Sequence, residues 1–175
     1  MRFICTRGGE KVSGAEAVIN GIAANGGLFV PEKFPKISDE EMDAMLEMDY
    51  PGRVAKIIKK YFSEFDEDEL LAALEERYKK FDGDDPAPMV RVDDGVYMLE
   101  LFHGPTCSSR DMAVAPFPYL LKKSLGDVKK KIAVVTATAG DTGKAVFETY
   151  KNVAGVKVLA FYPHDGVSKM QKWHR

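Results

Sequence analysis

Cysteine is scarce in this 175-residue sequence, and the two that it has, Cys5 and Cys107, lie far apart. That spacing excludes a disulfide framework and a cysteine-based metal site, and it favours a reducing, cytoplasmic location. Neither sign of charge is in excess, because 25 basic and 27 acidic residues give a formal net charge of -2. Global charge therefore gives no support to nucleic-acid binding, and no nucleic-acid partner is expected.

Long hydrophobic runs are also missing. No apolar stretch approaches the ~18–20 residues that a bilayer span needs, so no membrane partner is expected. Arg2 and Arg7 interrupt the start of the chain before the apolar core of a signal peptide could form, which argues against secretion. The lysines at 122–123 and 129–131 predict a solvated helix end and loop, because Asp127 lies between them and no aromatic residues interleave.

The composition of the sequence changes near Phe81–Pro88. This stretch is acidic and rich in glycine and proline, which predicts a linker. We therefore predict two domains, residues 1–85 and 86–175. The first is mainly helical, with capping-box spacing at Ser13-Glu16, Ser38-Glu41 and Asp66-Glu69. Apolar residues at helical spacing follow and predict packed faces. These residues are Val54, Ile57, Ile58, Tyr61 and Phe62, and then Leu70, Leu71, Leu74 and Tyr78.

The second region has an α/β pattern. A short strand is predicted at 96–101 and a helical stretch at 111–125, distorted near its start by Pro116 and Pro118. Two β-branched, apolar strands at 132–137 and 156–161 flank a helix at 142–152, which predicts a buried parallel βαβ unit. A parallel sheet usually needs more strands and cover on both faces, so the sheet is expected to be incomplete.

One segment that could carry chemistry is Thr136–Ala145, between the strand at 132–137 and the helix at 142–152. Free backbone N–H groups at a helix N-terminus favour an anion, and Gly140 and Gly143 let a ligand approach the backbone. Asp141 or Thr142 is the expected cap. A P-loop and a dinucleotide fingerprint are both excluded by the glycine spacing. From the residues alone, an anion site and an ordinary capped turn stay open with equal weight.

Glu100–Ala113 is the other such segment, because Gly104-Pro105 marks a turn after a strand and polar residues crowd the next helix start. Loops at strand ends are where α/β sites usually lie. His103 alone is more typical of a structural histidine than of a catalytic base.

Together these segments give the chain a resemblance to threonine synthase, a pyridoxal-phosphate enzyme of fold type II, from residue 1 to about residue 172. The motifs that carry it are Thr6-Arg7-Gly8, Asn25–Pro31, Leu101–Thr106, Ala139–Gly143, Phe161-Tyr162-Pro163 and Gly166-Val167-Ser168. The resemblance implies an α/β fold, with a helical N-terminal region followed by an incomplete parallel βαβ sheet of the fold type II pyridoxal-phosphate enzymes. It also implies conversion of O-phospho-L-homoserine and water to L-threonine and phosphate, with the cofactor held on a lysine.

The resemblance assigns roles to particular residues. Thr138, Gly140, Asp141, Thr142 and Gly143 are implied to bind the substrate's acid group, and Asp141 is also implied to face the cofactor ring's oxygen. Arg110 occupies the position of the family's Schiff-base lysine. Its guanidinium stays protonated, so it cannot form that bond or shuttle protons at neutral pH, although it could grip a phosphate or carboxylate.

Two further departures are Ser108-Ser109 for the family's Ala-Phe pair and Ala139 for a serine. We therefore expect a truncated and catalytically impaired form of the enzyme. The alternatives are a non-catalytic binder of phosphate or a phosphorylated amino acid, and a remnant interaction fragment. A partner that supplies a missing C-terminal half, and self-association, are both open. Lys144, which could substitute for the missing lysine, is expected to be a surface helix residue.

Overall fold

The computed structural model describes residues 1–9, 11–126, 131–166 and 168–169. The predicted lysine loop at 129–130, and Val167 and residues 170–172 of the resemblance, lie outside this range. In chain order the elements are β1 (Arg2–Cys5), β2 (Val12–Ser13), α1 (Gly14–Asn20), β3 (Phe29–Pro31), α2 (Asp39–Leu46), α3 (Tyr50–Tyr61), α4 (Glu67–Tyr78), β4 (Met89–Asp93), β5 (Val96–Leu99), α5 (Arg110–Val114), α6 (Phe117–Leu125), β6 (Ile132–Ala137), α7 (Asp141–Tyr150) and β7 (Val156–Phe161). In this part of the chain, no helix is long and apolar enough to cross a membrane.

The chain forms two compact units. The first contains Met1–Glu76 and Tyr119–Asp127, and the second contains Arg77–Pro118 and Val128–Arg175. The predicted domain division at residue 85 stays a prediction.

The first unit combines a small antiparallel sheet, in the order β2-β1-β3, with helices that begin where the capping signals predict. Capping boxes are complete at Ser13 and at Ser38, and Asp66 Oδ1 accepts the Glu69 N–H at 2.9 Å. Strand β3 ends at Pro31, which lacks a backbone donor for the ladder.

Aromatic and leucine side chains form the core of the first unit. Leu70 and Leu74 of α4 are fully buried. Phe62 stacks between Phe3 and Phe65, with ring centroids 5.4 and 5.7 Å apart. The predicted packing of Ile57 on α3 is wrong, because its side chain is exposed; the buried residue of that helix is Ala55.

The second unit contains two separate two-stranded sheets. Strands β6 and β7 are parallel and in register from Ile132 opposite Val156 to Ala137 opposite Phe161, with α7 as their connection. This confirms the predicted α/β class and its βαβ unit. Burial on both faces is wrong for the described residues, because alternate positions of both strands, including Val135 and Leu159, are exposed.

Two local features differ from expectation. The predicted strand at 96–101 ends at Leu99 and pairs antiparallel with β4, a strand that the sequence analysis missed. The predicted helical stretch at 111–125 is divided into α5 and α6 around Pro116. Proline cannot donate the N–H that a continuous helix would need there, which accounts for the predicted distortion.

Candidate functional site

Two loops of the second unit carry most of the residues that the sequence singles out. The first loop, residues 100–109, runs from the end of β5 to α5, and the second loop, residues 138–140, runs from β6 to α7. Each follows a strand and leads into a helix, which is the position of sites in α/β proteins.

A buried carboxylate holds the first loop together. Asp111, only 3% exposed, accepts hydrogen bonds from Thr106 N at 2.8 Å and from Thr106 Oγ1 at 2.7 Å. Hydrogen bonds to a charged acceptor are stronger than neutral ones, and Thr106 is itself buried. The loop is therefore fixed from inside by a residue that the sequence singles out only as a member of the segment Glu100–Ala113. A carboxylate six residues after the Gly104-Pro105 turn was the signal available for it.

Gly104 is required by this arrangement. A Cβ atom added to Gly104 would lie 2.5 Å from Asp111 Cβ and 2.5 Å from Asp111 Oδ2. The Asp111 carboxylate cannot move away without losing its bonds to Thr106. Thus the close approach of backbone and carboxylate explains the glycine in the His-Gly-Pro-Thr motif.

His103 has the contacts of a positioned, structural histidine. Its Nε2 lies 2.7 Å from Glu100 Oε2, and its ring stacks on Phe102 with centroids 4.7 Å apart. Its carbonyl oxygen accepts the Asp82 N–H at 2.8 Å. These contacts agree with the interpretation from sequence.

Thr138 organises the second loop. Its Oγ1 accepts the Gly140 N–H at 3.1 Å, and its own N–H donates to the Phe161 carbonyl at 2.9 Å, which ties the loop to β7. A Cβ atom on Gly143 would lie 2.6 Å from Thr138 Cγ2. The small size of Gly143 therefore makes room for Thr138.

The start of α7 corrects the predicted cap. The helix begins at Asp141, its N-cap is Gly140, and the cap makes no side-chain hydrogen bond. Asp141 and Thr142 are therefore helical residues in the first turn. An acidic residue there suits the helix dipole, but it does not occupy the first N–H groups. Those groups are the ones that bind anions at helix N-termini.

Lys144 links α7 to the first loop. Its Nζ donates to the Thr106 carbonyl at 3.4 Å, and the residue is half-buried on α7, so the expected helix residue also has a contact that the sequence did not predict. Both residues line an open cavity of about 480 Å³, with Pro105 and Phe147 also in its wall. The structure thus brings the start of α7 next to the loop that precedes Arg110.

Arg110 is the first residue of α5 and is exposed. Its backbone N–H donates to Ser108 Oγ at 3.2 Å. No carboxylate in the described residues forms an ion pair with its guanidinium. The guanidinium is therefore permanently charged and has N–H groups that can donate hydrogen bonds, but it is not a nucleophilic amine.

The far end of α7 is anchored by Arg77, whose Nη1 donates to the Thr149 carbonyl at 2.7 Å. Burial is the main cause that lowers the pKa of Arg77, and burial also raises the pKa of the Tyr150 hydroxyl. A cation at a helix C-terminus complements the dipole. This contact anchors α7, the helix that follows the second loop.

Comparison with known proteins gives one consistent result. A family profile described as threonine synthase N terminus matches residues 2–78. Threonine synthase of Escherichia coli K12 is 38% identical over 163 residues, which cover 93% of this chain and 37% of that protein. Threonine synthase of Pseudomonas aeruginosa is 32% identical over 174 residues, covering 98% of this chain and 37% of that protein.

Solved structures agree. The pyridoxal-phosphate-bound threonine synthase of Brucella melitensis superposes with a TM-score of 0.90 at 27% identity, covering 99% of this chain and 38% of that one. For E. coli threonine synthase the TM-score is 0.88 at 34% identity, with 99% and 40% covered. The chain therefore spans under half the length of the relatives it matches, and over that length it is similar to threonine synthases in both sequence and fold.

Proposed function

We propose that this chain carries the substrate-anion side of a threonine synthase site and is catalytically impaired. Its ligand would be O-phospho-L-homoserine or its product phosphate, held at Thr138, Gly140, Asp141, Thr142 and Gly143. The reaction that the relatives' name implies converts that substrate and water to L-threonine and phosphate. We place the protein in the cytoplasm.

The observation that carries the proposal is the contact between α7 and the first loop. Lys144 Nζ reaches the Thr106 carbonyl, so the uncapped start of α7 lies beside the loop that leads to Arg110. The first turn of α7 thus offers backbone N–H groups, and the ammonium group of Lys144 follows on the same helix. Both favour a phosphate or a carboxylate.

Pyridoxal phosphate, which the Brucella relative binds, does not fit the family's covalent mode here. That mode needs a primary amine at position 110, and the guanidinium of Arg110 cannot provide one. The loop geometry is nevertheless intact, because Asp111 and Thr106 hold it without any contribution from the Arg110 side chain. In this proposal the chain therefore keeps the loop that would bind the substrate anion but lacks the amine that would bind the cofactor covalently.

A second candidate function is non-catalytic binding of phosphate or a phosphorylated amino acid, and it is favoured by the guanidinium of Arg110, which forms no ion pair within the part of the chain that the structure describes. Arginine presents a planar fork that matches phosphate, and it keeps its charge at any physiological pH. In this case Arg110 would be an anion ligand at the position where the relatives have their lysine.

Thermal unfolding in a phosphate titration tests the binding proposal, because a ligand of the folded form raises Tm by mass action. We expect O-phospho-L-homoserine and inorganic phosphate to raise Tm, and Arg110→Gln to weaken the effect. Arg91→Gln, which removes an exposed arginine on β4, is the matched control and should leave the response unchanged. No shift for either ligand would reject the proposed site.

Product analysis tests catalytic impairment separately from anion binding. The purified chain, incubated with pyridoxal phosphate and O-phospho-L-homoserine, should release no threonine. Threonine formation at a rate above that of the cofactor alone would contradict catalytic impairment, even if the phosphate titration succeeds.

A further inference from the structure

A short segment at the end of α4, residues 77–82, contacts three elements of the candidate site. Two of its N–H groups donate to carbonyls three residues earlier, at 3.0 and 3.2 Å, so the segment continues α4 as tight turns. Tyr78 and Phe81 are both buried, and their ring centroids lie 5.0 Å apart. The 77–82 segment is therefore a packed and hydrogen-bonded helix end, although the sequence predicts that a linker begins at Phe81.

The segment donates one hydrogen bond to a main-chain carbonyl of each site element. The three bonds are Arg77 Nη1 to Thr149 of α7 at 2.7 Å, Tyr78 Oη to Met112 of α5 at 3.3 Å, and Asp82 N–H to His103 of the first loop at 2.8 Å. All six residues lie in the second unit. Because every acceptor is a main-chain oxygen, the bonds fix the backbones of α5, α7 and the first loop relative to one another.

The same elements meet around a small cavity. Its volume is about 20 Å³, which leaves room for about one water molecule. Its wall includes Arg77 of the segment, Pro105 of the first loop, Asp111 of α5 and Glu148 of α7. Helices α5 and α7 also contact each other directly. Close-packed interiors transmit displacements, so a shift of the 77–82 segment should move both helices.

We propose that Arg77 and Tyr78 are positioning residues for the candidate anion site, an inference that rests on the proposed function. Arg77 contacts the last turn of α7, whereas the N–H groups proposed to bind the anion are in its first turn, about 15 Å away for ten helical residues. Loss of either side-chain bond would let α5 and α7 shift separately. A smaller fraction of the chain would then have the binding arrangement, and the apparent dissociation constant rises as that fraction falls.

Amide resonances of the isotope-labelled chain without any ligand give the first test. Tyr78→Phe removes one hydroxyl and keeps the ring against Phe81. It should shift the amide resonances of Thr106 in the first loop and of Gly140 in the second. Changes confined to Met112 and its neighbours in sequence would overturn the positioning role.

Tyr119→Phe is the matched control for this variant. The Tyr119 hydroxyl also donates to a main-chain carbonyl, that of Asp66 at 3.1 Å, but both residues lie in the first unit. The control should lower Tm and leave the resonances of both loops in place. Equal shifts of the loop resonances in Tyr119→Phe and Tyr78→Phe would overturn the proposal.

The phosphate dissociation constant, measured by isothermal titration calorimetry, gives the second test. Tyr78→Phe should raise it about fivefold and Arg77→Met at least about tenfold, because a hydrogen bond from a charged group contributes more. Arg77→Lys keeps a charged donor for the Thr149 carbonyl, so it should restore most of the affinity and the loop resonances. A lower Tm in Tyr78→Phe and Arg77→Met, with unchanged affinity and unchanged loop resonances, would overturn the proposal, because the contacts would then only stabilise the fold.

The two readouts distinguish failure of this inference from failure of the proposed function. If the unmodified chain binds no phosphate, the proposed function is rejected, and the resonances of the ligand-free chain alone decide whether the segment positions the two loops. If the unmodified chain binds phosphate and Tyr78→Phe binds it equally well, the anion site stands and the positioning role is rejected. Tyr78→Phe carries the same test if Arg77→Met does not fold.

Discussion

Helix starts in the first unit and helix starts in the second solve the same problem in different ways. The first backbone N–H groups of a helix have no partner within the helix. In the first unit, Ser13, Ser38 and Asp49 supply a side-chain acceptor for them. Helix α7 of the second unit has no such side-chain cap, and at α5 the Arg110 N–H instead donates to Ser108 Oγ. The first N–H groups of α7 are therefore the ones without a side-chain acceptor at the N-cap, which is where the proposed anion would bind.

The loops at the candidate site depend on residues that hold them from inside, and we expect Asp111, in the loop before α5, to make the largest of these contributions. Asp111→Ala leaves the buried Thr106 N–H and hydroxyl without their acceptor, so we expect a loss of about 3 kcal/mol in the free energy of unfolding. Urea denaturation measures it, with exposed Asp84→Ala as the control. A loss no larger than that of the control would mean that Asp111 does not hold the loop.

Removing a side-chain cap in the first unit should lower the free energy of unfolding by less, and it should not affect the candidate site. Ser13→Ala removes the acceptor for the Glu16 N–H, and helix caps of this kind contribute about 1 kcal/mol. Urea denaturation should show that loss, while the phosphate-induced rise in Tm stays unchanged. A Ser13→Ala variant with a weakened phosphate response would contradict the separation between the two kinds of helix start.

The capping box also predicts a pH dependence. The Ser13 backbone N–H is the main cause that lowers the pKa of Glu16 below its ordinary value of 4.5. A lowered pKa in the folded state means that this contribution is present above pH 4.5 and is lost as the pH falls further. Glu16→Gln should therefore flatten part of the stability decrease below that pH in urea denaturation. Equal acid sensitivity of the two proteins would contradict the role of Glu16.

Sequence reasoning was most accurate where the signal is local or strongly periodic. Strands β6 and β7 were predicted to the residue, and the Ser13 and Ser38 capping boxes are confirmed, because their patterns lie within a few adjacent residues. Strand β4 was missed because its exposed residues lack the alternation of a half-buried strand.

The candidate site was predictable as two loops and not as a set of contacts. Which carboxylate holds Thr106, and which loop Lys144 reaches, depend on how α5 and α7 pack, and no short sequence window contains that information. The functional assignment of Thr138, Gly140 and Asp141 stays a prediction. Arg110 is the reverse case, since the identity of that one residue decides the covalent chemistry whatever its contacts are.

The smallest expected change in stability gives the sharpest test of the comparison. Gly140→Ser would give α7 the kind of cap that Ser13 gives α1, and serine exceeds glycine at this position by only a few tenths of a kcal/mol. The new hydroxyl would occupy an N–H that the proposed anion needs, so phosphate should raise Tm less than in the unmodified chain. Ala139→Ser adds the same hydroxyl one residue before the N-cap and should not weaken the response. If both variants respond to phosphate alike, the first N–H groups of α7 are not the anion site, and the uncapped start has no functional meaning.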